Sequence, residues 1–418
     1  MIYSDFHIHS KYSRATSNTM DIKHLSIYGA MKGLNLIGTG DITHPKWINE
    51  VKNETNDLGN GFYKSKYNEM QFMLSSEIAT IYSENGKVKR VHHILFFPSF
   101  EIVEQFNDSL RQYLTNKGKK CNLSSDGRPI IGLTSVELCD IAFKINQKIL
   151  VIPAHIWTPW FSLFGSMSGF DKFEECYKDY SNKIYAYESG LSSDPMMNWR
   201  LSQLGNKLLI SNSDCHGPFV DRIGREANAF NGDIVEFSYD KLFENIKKKE
   251  MAYTIEVDPS YGKYHFDGHR KCNICFNPKE SIKNNDFCPV CKKHLTIGVL
   301  HRVEELADLP QNHKPANAID FKYHVPLIEI VSKLLGKGIK TKPVNSIYED
   351  LIKKHGTEYF ILYDSNLSEI DSSFQGLGQV IQSLRNKTMK VIPGYDGVYG
   401  EPVIKKLEKK PQKSVIDF

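Results

Sequence analysis

The chain has 418 residues, 40% hydrophobic and 24% charged, with a formal net charge of +4. These values are ordinary for a soluble globular protein with room for two or three domains and a large core. No apolar run is long enough to span a bilayer and no basic, apolar leader opens the chain. A cytoplasmic protein with no membrane partner and no signal peptide is therefore expected. Its eight cysteines then need a role other than disulfides.

In chain order, Asp5-Phe6-His7-Ile8-His9-Ser10 follows the apolar Met1-Ile2-Tyr3 and reads as a first strand running into a loop. Strand alternation puts His7 and His9 on one face, a pair able to grip one cation. The spacing predicts a helix over 20–34. A second strand over 34–40 ends in Asp41-Ile42-Thr43-His44. Residues 72–76 lead into Glu77, and a strand over 88–97 carries His92 and His93. A three-residue loop of Glu84, Asn85 and Gly86 would join these two strands and set Glu77 opposite His93. Helical patterns follow at 101–114 and 135–147. The next strand, 149–152, ends in Pro153-Ala154-His155. Strand 184–187 ends in Glu188-Ser189-Gly190, and strand 208–213 in Asp214-Cys215-His216. A helix over 241–251 and a strand over 252–256 close this part.

One such histidine is more often structural than a ligand. The recurrence of His, Asp and Glu at successive strand ends is different. It spans roughly 250 residues of strand–helix alternation, the pattern of a (β/α) barrel carrying a multinuclear metal site at its C-terminal face.

Cys272, Cys275, Cys288 and Cys291 have C-x2-C-x12-C-x2-C spacing, which predicts a closed four-thiolate zinc site that folds a small ribbon. The remaining Cys121, Cys139, Cys176 and Cys215 read as reduced thiols. From 261 to 302, eight Lys/Arg stand against three acidic residues, so a polyanionic partner is expected there. Trp157, Trp160, Phe161 and Phe164 follow His155. They would either stack on an extruded base or pack a long loop onto the core. Ser193-Asp194-Pro195 reads as a helix start. Helices are expected near 326–335, 346–354 and 376–384, then a strand and glycine-rich turn at 391–400 and a basic tail at 405–413. No Walker-type phosphate loop occurs.

The set His7/His9, Asp41, Glu77, His93, Pro153-Ala154-His155 and Ser213-Asp214-Cys215-His216 resembles the PHP (polymerase and histidinol phosphatase) family. Taken together with the ribbon and the helical tail, the resemblance covers essentially the whole chain. It implies a mixed α/β chain: a distorted (β/α)7 PHP-type barrel over 1–262, a zinc ribbon over 263–302 and a mainly helical C-terminal domain over 303–418. Gly38-Thr39-Gly40-Asp41 and the stretches 188–200 and 262–275 are similar to one branch of that family. This branch comprises DNA repair endonucleases that cut 5′ of a deaminated base (hypoxanthine, uracil, xanthine) or an abasic site. The implied partner is DNA, single- or double-stranded, containing deaminated bases, with a replication or repair clamp as a second partner and a nucleoid-associated location.

The implied ligands are His7, His9, Glu77 and Asp214 around one metal and Glu77, His93 and His155 around a second. His216 with Asp41 or His44 would hold a third. Of these, Asp214, Glu77, His7 and His9 are the expected catalytic group. Two departures from the family pattern touch the third site. Ser10-Lys11-Tyr12-Ser13-Arg14 holds no further histidine, and Asp41 is followed by Ile42. Zinc is expected in the ribbon and in the active site, with Mg2+ or Mn2+ for activity. Expected DNA or base contacts are Trp157, Trp160, Glu188, Ser189, Asn198, Arg200, Arg270 and Lys271. A PHP phosphomonoesterase of a small metabolite and a non-catalytic DNA-binding PHP protein are the rival readings. The ribbon argues against the first and the retained ligand types against the second.

Overall fold

The structure, a computed structural model, describes residues 1–404, so the expected basic tail lies outside the described residues. The N-terminal part contributes β1 (Ile2–Asp5), β2 (Leu36–Gly38), β3 (Thr55–Asp57), β4 (Phe62–Ser65), β5 (Gln71–Glu84) and β6 (Lys87–Phe97). It continues with β7 (Ile130–Ile131), β8 (Leu150–Pro153), β9 (Ala186–Glu188), β10 (Leu208–Ile210), β11 (Ala227–Phe230) and β12 (Tyr253–Glu256). β1, β2 and β5 run parallel, β6 is antiparallel to both β5 and β8, and β9 pairs with β10 in a separate two-stranded ladder. The backbone is therefore mixed α/β, with a long antiparallel hairpin interrupting the expected strand–helix alternation.

The strands are apolar on both faces, as strands covered on both sides must be. Ile2, Leu36, Phe62, Met73, Ile94, Phe96, Leu150, Ile152, Ala186, Leu208, Ile210 and Phe230 come from nine strands and meet in one inner core. Their neighbours Ile37, Phe72, Leu74, Leu95 and Val151 point the other way. Those residues pack under Leu25, Val51, Phe106 and Leu138 of the helices Ile22–Lys32, Pro45–Glu54, Phe100–Asn116 and Ser135–Ile145. Strands that meet in one inner core, with helices on their other face, bring the loops at the strand ends together.

The β5–β6 turn differs from the expected three-residue loop. Asn85 (φ 50) and Gly86 (φ 74) form a two-residue turn with both residues left-handed, the type that matches strand twist. Glu84 pairs with Lys87, so Glu77 lies opposite Ile94, and His93 opposite Ile78. A one-residue change of register exchanges the faces of every side chain on a strand. It carries His93 away from Glu77 and brings His92 to the same face.

The ribbon contains β13 (Asp267–His269) and β14 (Ile274–Phe276), paired antiparallel. β15 (Asp320–Tyr323) adds to the main sheet beside β12. Beyond it, the helices Leu327–Leu335, Lys342–His355, Leu367–Ser373 and Leu377–Arg385 enclose their own core of Ile330, Val331, Tyr348, Ile361 and Ile381. The glycine-rich turn after Val391–Ile392 returns to the ribbon, where Asp396 accepts from the Arg270 amide (2.6 Å) and the Thr296 hydroxyl (2.7 Å). No described helix is long and apolar enough to cross a membrane.

Candidate active site

Six side chains converge where the strands end. His7 and His9 follow β1, His155 follows β8, Asp214 follows β10, and Glu77 and His92 sit within β5 and β6. Asp41 (φ 50), His155 (φ 28) and Asp214 (φ 46) are non-glycine residues in the left-handed region. Such backbone costs about 1–3 kcal/mol per residue and concentrates where function demands it.

The convergence forms two triads, His7–His9–Asp214 and Glu77–His92–His155, each with ligand atoms within 4.8 Å of one another. In the first, His9 Nε2 and His7 Nε2 lie 3.0 and 3.7 Å from Asp214 Oδ1. In the second, His92 Nδ1 and His155 Nε2 lie 2.5 and 3.1 Å from Glu77 Oε1. The other Glu77 oxygen faces the first triad, 3.4 Å from His9 Nε2 and 3.7 Å from His7 Nε2. One carboxylate thus spans both groups.

Outer carboxylates fix the two leading imidazoles. Glu188 holds His7 Nδ1 (3.0 Å) and is itself bonded by the His155 amide (2.8 Å) and Asn212 Nδ2 (2.9 Å). Asp41 holds His9 Nδ1 (3.1 Å) and accepts from the Ser10 amide and hydroxyl and from Ser13. Both rings therefore turn Nε2 inward, the arrangement that positions metal-ligating histidines. Fully buried His7 Nε2 has no hydrogen-bond partner among the described residues. An orphaned imidazole nitrogen facing two carboxylates fits a divalent cation. Without one, the cluster is a knot of opposed charges. Burial disfavours the charged form of His7, but Glu188, Asp214 and Glu77 outweigh it and raise its pKa well above the usual value. Burial likewise opposes charge on Glu77, and His92 and His7 overcome it to hold the carboxyl well below its usual range. Burial wins at His92, pushed down to about 4.

Several expected residues fall elsewhere. His93 is buried on the far side of β6, bonded to the Tyr177 hydroxyl (2.9 Å) and Thr80 Oγ1 (3.1 Å). It is replaced by His92, because the Asn85-Gly86 turn sets the register. Among the described residues, no group of candidate ligands joins His216 to Asp41 or His44, the set expected at a third metal. Asp41 is engaged with His9 and two serines. His44 Nε2 bonds the Ser124 carbonyl (3.3 Å) while its ring stacks on Tyr12. His216 lies against the His9 ring and bonds the Asp214 carbonyl (3.1 Å).

Most expected DNA contacts are interior. Trp157 is buried and donates to Asn198 Oδ1 (2.8 Å), and Asn198 in turn donates to Ser193. Glu188 sits behind His7, and buried Ser189 donates to Glu256 (3.1 Å). Arg200 forms a two-pronged pair with Glu304 (2.7 and 2.8 Å). A side chain buried and held by interior partners is not presented to a macromolecule. Trp160, Arg270 and Lys271 remain exposed.

The ribbon cluster also differs from expectation. Its ligand atoms come from His269, Cys272, Cys288 and Cys291. The β13–β14 register pairs Gly268 with Cys275 and His269 with Ile274, so Cys275 points to the face opposite His269. The sequence reading names His92 but gives it no role at the site, and it singles out none of His269, Asn212 and Arg128, whose Nη1 lies 3.2 Å from Glu77 Oε2. The Asn-Gly turn was the available signal for the first.

The family model for the MJ0043 C-terminal domain matches residues 326–388. The protein MJ0043 of Methanocaldococcus jannaschii is 34% identical over 260 residues, 62% of this chain, and the match takes in 32% of that longer protein. YqxK of Bacillus subtilis is 27% identical over 96% of this chain and 98% of its own length. Two solved structures superpose over 96% of this chain. The lesion-specific endonuclease PfuEndoQ of Pyrococcus furiosus has a TM-score of 0.85 and 31% identity, with 95% of its chain covered. An endonuclease Q in complex with a 27-mer duplex substrate, carrying an abasic lesion at its active site, has a TM-score of 0.84 and 32% identity, with 96% covered. On identity, coverage and shared fold together, this chain belongs to the endonuclease Q family.

Proposed function

We propose that this chain is a metal-dependent DNA repair endonuclease that hydrolyses the phosphodiester 5′ of a deaminated base or abasic site. The observation that carries the reading is the pair of triads spanned by Glu77 at the strand ends. His7, His9 and Asp214 would hold one divalent cation, and Glu77, His92 and His155 a second. Such a pair supplies an activated water and neutralises charge on the attacked phosphate. The mixed nitrogen and carboxylate donors favour zinc, manganese or iron over magnesium alone. Glu188 and Asp41 keep the two leading imidazoles aimed inward, so the ligand set needs no rearrangement before substrate arrives.

Selection of the lesion follows from base chemistry. Deamination turns an exocyclic amine into a carbonyl, a donor into an acceptor. Reading that edge requires the nucleotide to leave the stack. Donors placed for a carbonyl reject the amine of adenine or cytosine by leaving donor facing donor. Exposed Arg270, Lys271, Lys292 and Lys293 on the ribbon suit the flanking phosphates, which position a duplex without reading its sequence. Labelled duplexes bearing one hypoxanthine, uracil or abasic site test the reading. Cleavage on the 5′ side of the lesion, abolished by chelation, is expected. Equal cutting of undamaged duplex would show a general nuclease. A fluorescent base analogue beside hypoxanthine should brighten when metal-free protein binds.

A further inference from the structure

The ligand cluster is closed on nearly every side. Its ligand side chains are at most 10% exposed, except Asp214 at 28%. Two partly exposed basic side chains lie against this cluster, His216 (33%) beside Asp214 and Arg128 (28%) beside Glu77. A substrate phosphate that approaches the exposed edge of Asp214 meets these side chains. Asp214 repels it and His216 is turned to Asp214, which leaves Arg128 as the cation at the mouth.

The chain builds a fixed support for that arginine. Asp126 Oδ1 accepts from the amides of Arg128 (3.2 Å) and Arg14 (3.3 Å), joining this loop to the one after His9. The Gly127 amide donates to the Tyr12 carbonyl (3.0 Å). A Cβ on Gly127 would stand 2.3 Å from Asp41 Oδ2, so only glycine allows the loop to lie this close. On the other side, the Ala79 amide of β5 donates to the Pro129 carbonyl (3.0 Å). Three anchors within four residues fix the backbone that aims Arg128 at Glu77. Among the described residues, Arg128 is the arginine paired with a carboxylate of the cluster. Arg14 pairs with Asp126, Arg225 donates to the Ser213 carbonyl, and Arg90 lies over the Trp160 ring.

We infer that Arg128 is the residue that grips a non-bridging oxygen of the scissile phosphodiester. Glu77 engages one of its N–H groups, and a guanidinium has five in a planar fork suited to phosphate. When Glu77 serves as a ligand instead, the fork is free at the opening. No bond is made or broken by Arg128. It supplies charge and orientation where negative charge develops. The inference rests on the proposed function for the identity of the diester and on the geometry alone for the role of the arginine.

The test compares the full-length wild type with Arg128→Ala and Arg128→Lys on two substrates, an abasic duplex and bis(p-nitrophenyl) phosphate. Bound metal is measured by elemental analysis. Arg128→Ala should cut both substrates about 100-fold more slowly, with metal content unchanged. Its binding to the abasic duplex should lose about 0.9 from the slope of log K against log salt, the share of one phosphate contact. Arg128→Lys should regain the slope and only part of the rate, because it keeps the charge and loses the fork. Unchanged rates and slope overturn the inference, as does loss of metal in step with loss of rate, which would make Arg128 a mere support for Glu77. Wild type that cuts the small diester but no lesion duplex overturns the proposed function and leaves Arg128 tested. Wild type that cuts neither overturns both.

Discussion

His92 and His93 are adjacent, both buried, and opposite in role because alternate strand residues face opposite ways. His92 meets Glu77, whereas His93 bonds Tyr177 and Thr80. His92→Ala should therefore lower bound active-site metal and abolish cleavage. His93→Ala should leave metal content intact and cost about 1–3 kcal/mol, the penalty for partners left unsatisfied. Elemental analysis and chemical denaturation of both variants separate the roles. The same logic applies in the ribbon. His269→Ala and Cys272→Ser should each release one zinc and loosen the segment that zinc folds. Cys275→Ser should retain it. Native mass spectrometry decides, and equal zinc loss from Cys275→Ser would restore the four-thiolate arrangement. At this scale the sequence displayed the ligand types well. His7, His9, Glu77, His155 and Asp214 stand in the two triads as residues of the expected kind. It could not show His269, which becomes a neighbour of the thiols only through the β13–β14 hairpin.

A turn of two residues decides which of those side chains meet. Strand ends are visible as apolar runs closing on polar residues, but where both faces are buried the period-2 signal disappears and register must come from the turn. Asn85 and Gly86 both take left-handed backbone, which asparagine tolerates and glycine adopts freely. Gly86→Val should destabilise the protein by about 1–2 kcal/mol, the cost of a Cβ in that region. The long β5–β6 ladder should hold its register, since slipping it would drive Phe72, Leu74, Leu95 and Phe97 out of their core. A lowered denaturation midpoint with unchanged bound metal is the expected result. Loss of metal would mean that the turn alone sets the pairing. The Val391 to Gly400 segment carries a parallel lesson. Its glycines announce a turn, but its docking on the ribbon depends on Asp396 meeting Arg270 and Thr296 across 126 and 100 residues.

Across the whole molecule, the helical C-terminal part is joined to the strand-bearing part by a buried ionic centre. Lys32, at the end of the first helix, donates to Glu358 (2.7 Å) and to the Val220 carbonyl (2.7 Å), with His324 Nε2 at 3.2 Å. Lysine is a surface residue by habit, so nothing in the sequence marked this one, and the expected division into three segments gave no sign of the bond between the outer two. Breaking such a pair differs from replacing it. Lys32→Met alone leaves Glu358 buried without its cation and should cost about 3–5 kcal/mol, whereas Lys32→Met with Glu358→Leu should recover most of that. The centre also makes the protein sensitive to acid. Burial opposes the Glu358 carboxylate, but Lys32 and His324 outweigh it and hold its pKa at about 2, below the ordinary 4.5. Burial, aided by Lys32, pushes His324 down to about 4 from 6.5. As pH falls below 6.5 the unfolded chain takes up the histidine proton and the folded chain does not, so stability declines until about pH 4. The Glu358 contribution is present in full above pH 4.5 and is lost as pH falls through 2. Stability measured by denaturation should thus fall continuously from about pH 6.5 toward 2. The double variant should lose the lower limb between 4.5 and 2 and keep a decline from His324. An identical acid profile in the wild type and the double variant would remove this centre as the acid-sensitive link between the two parts.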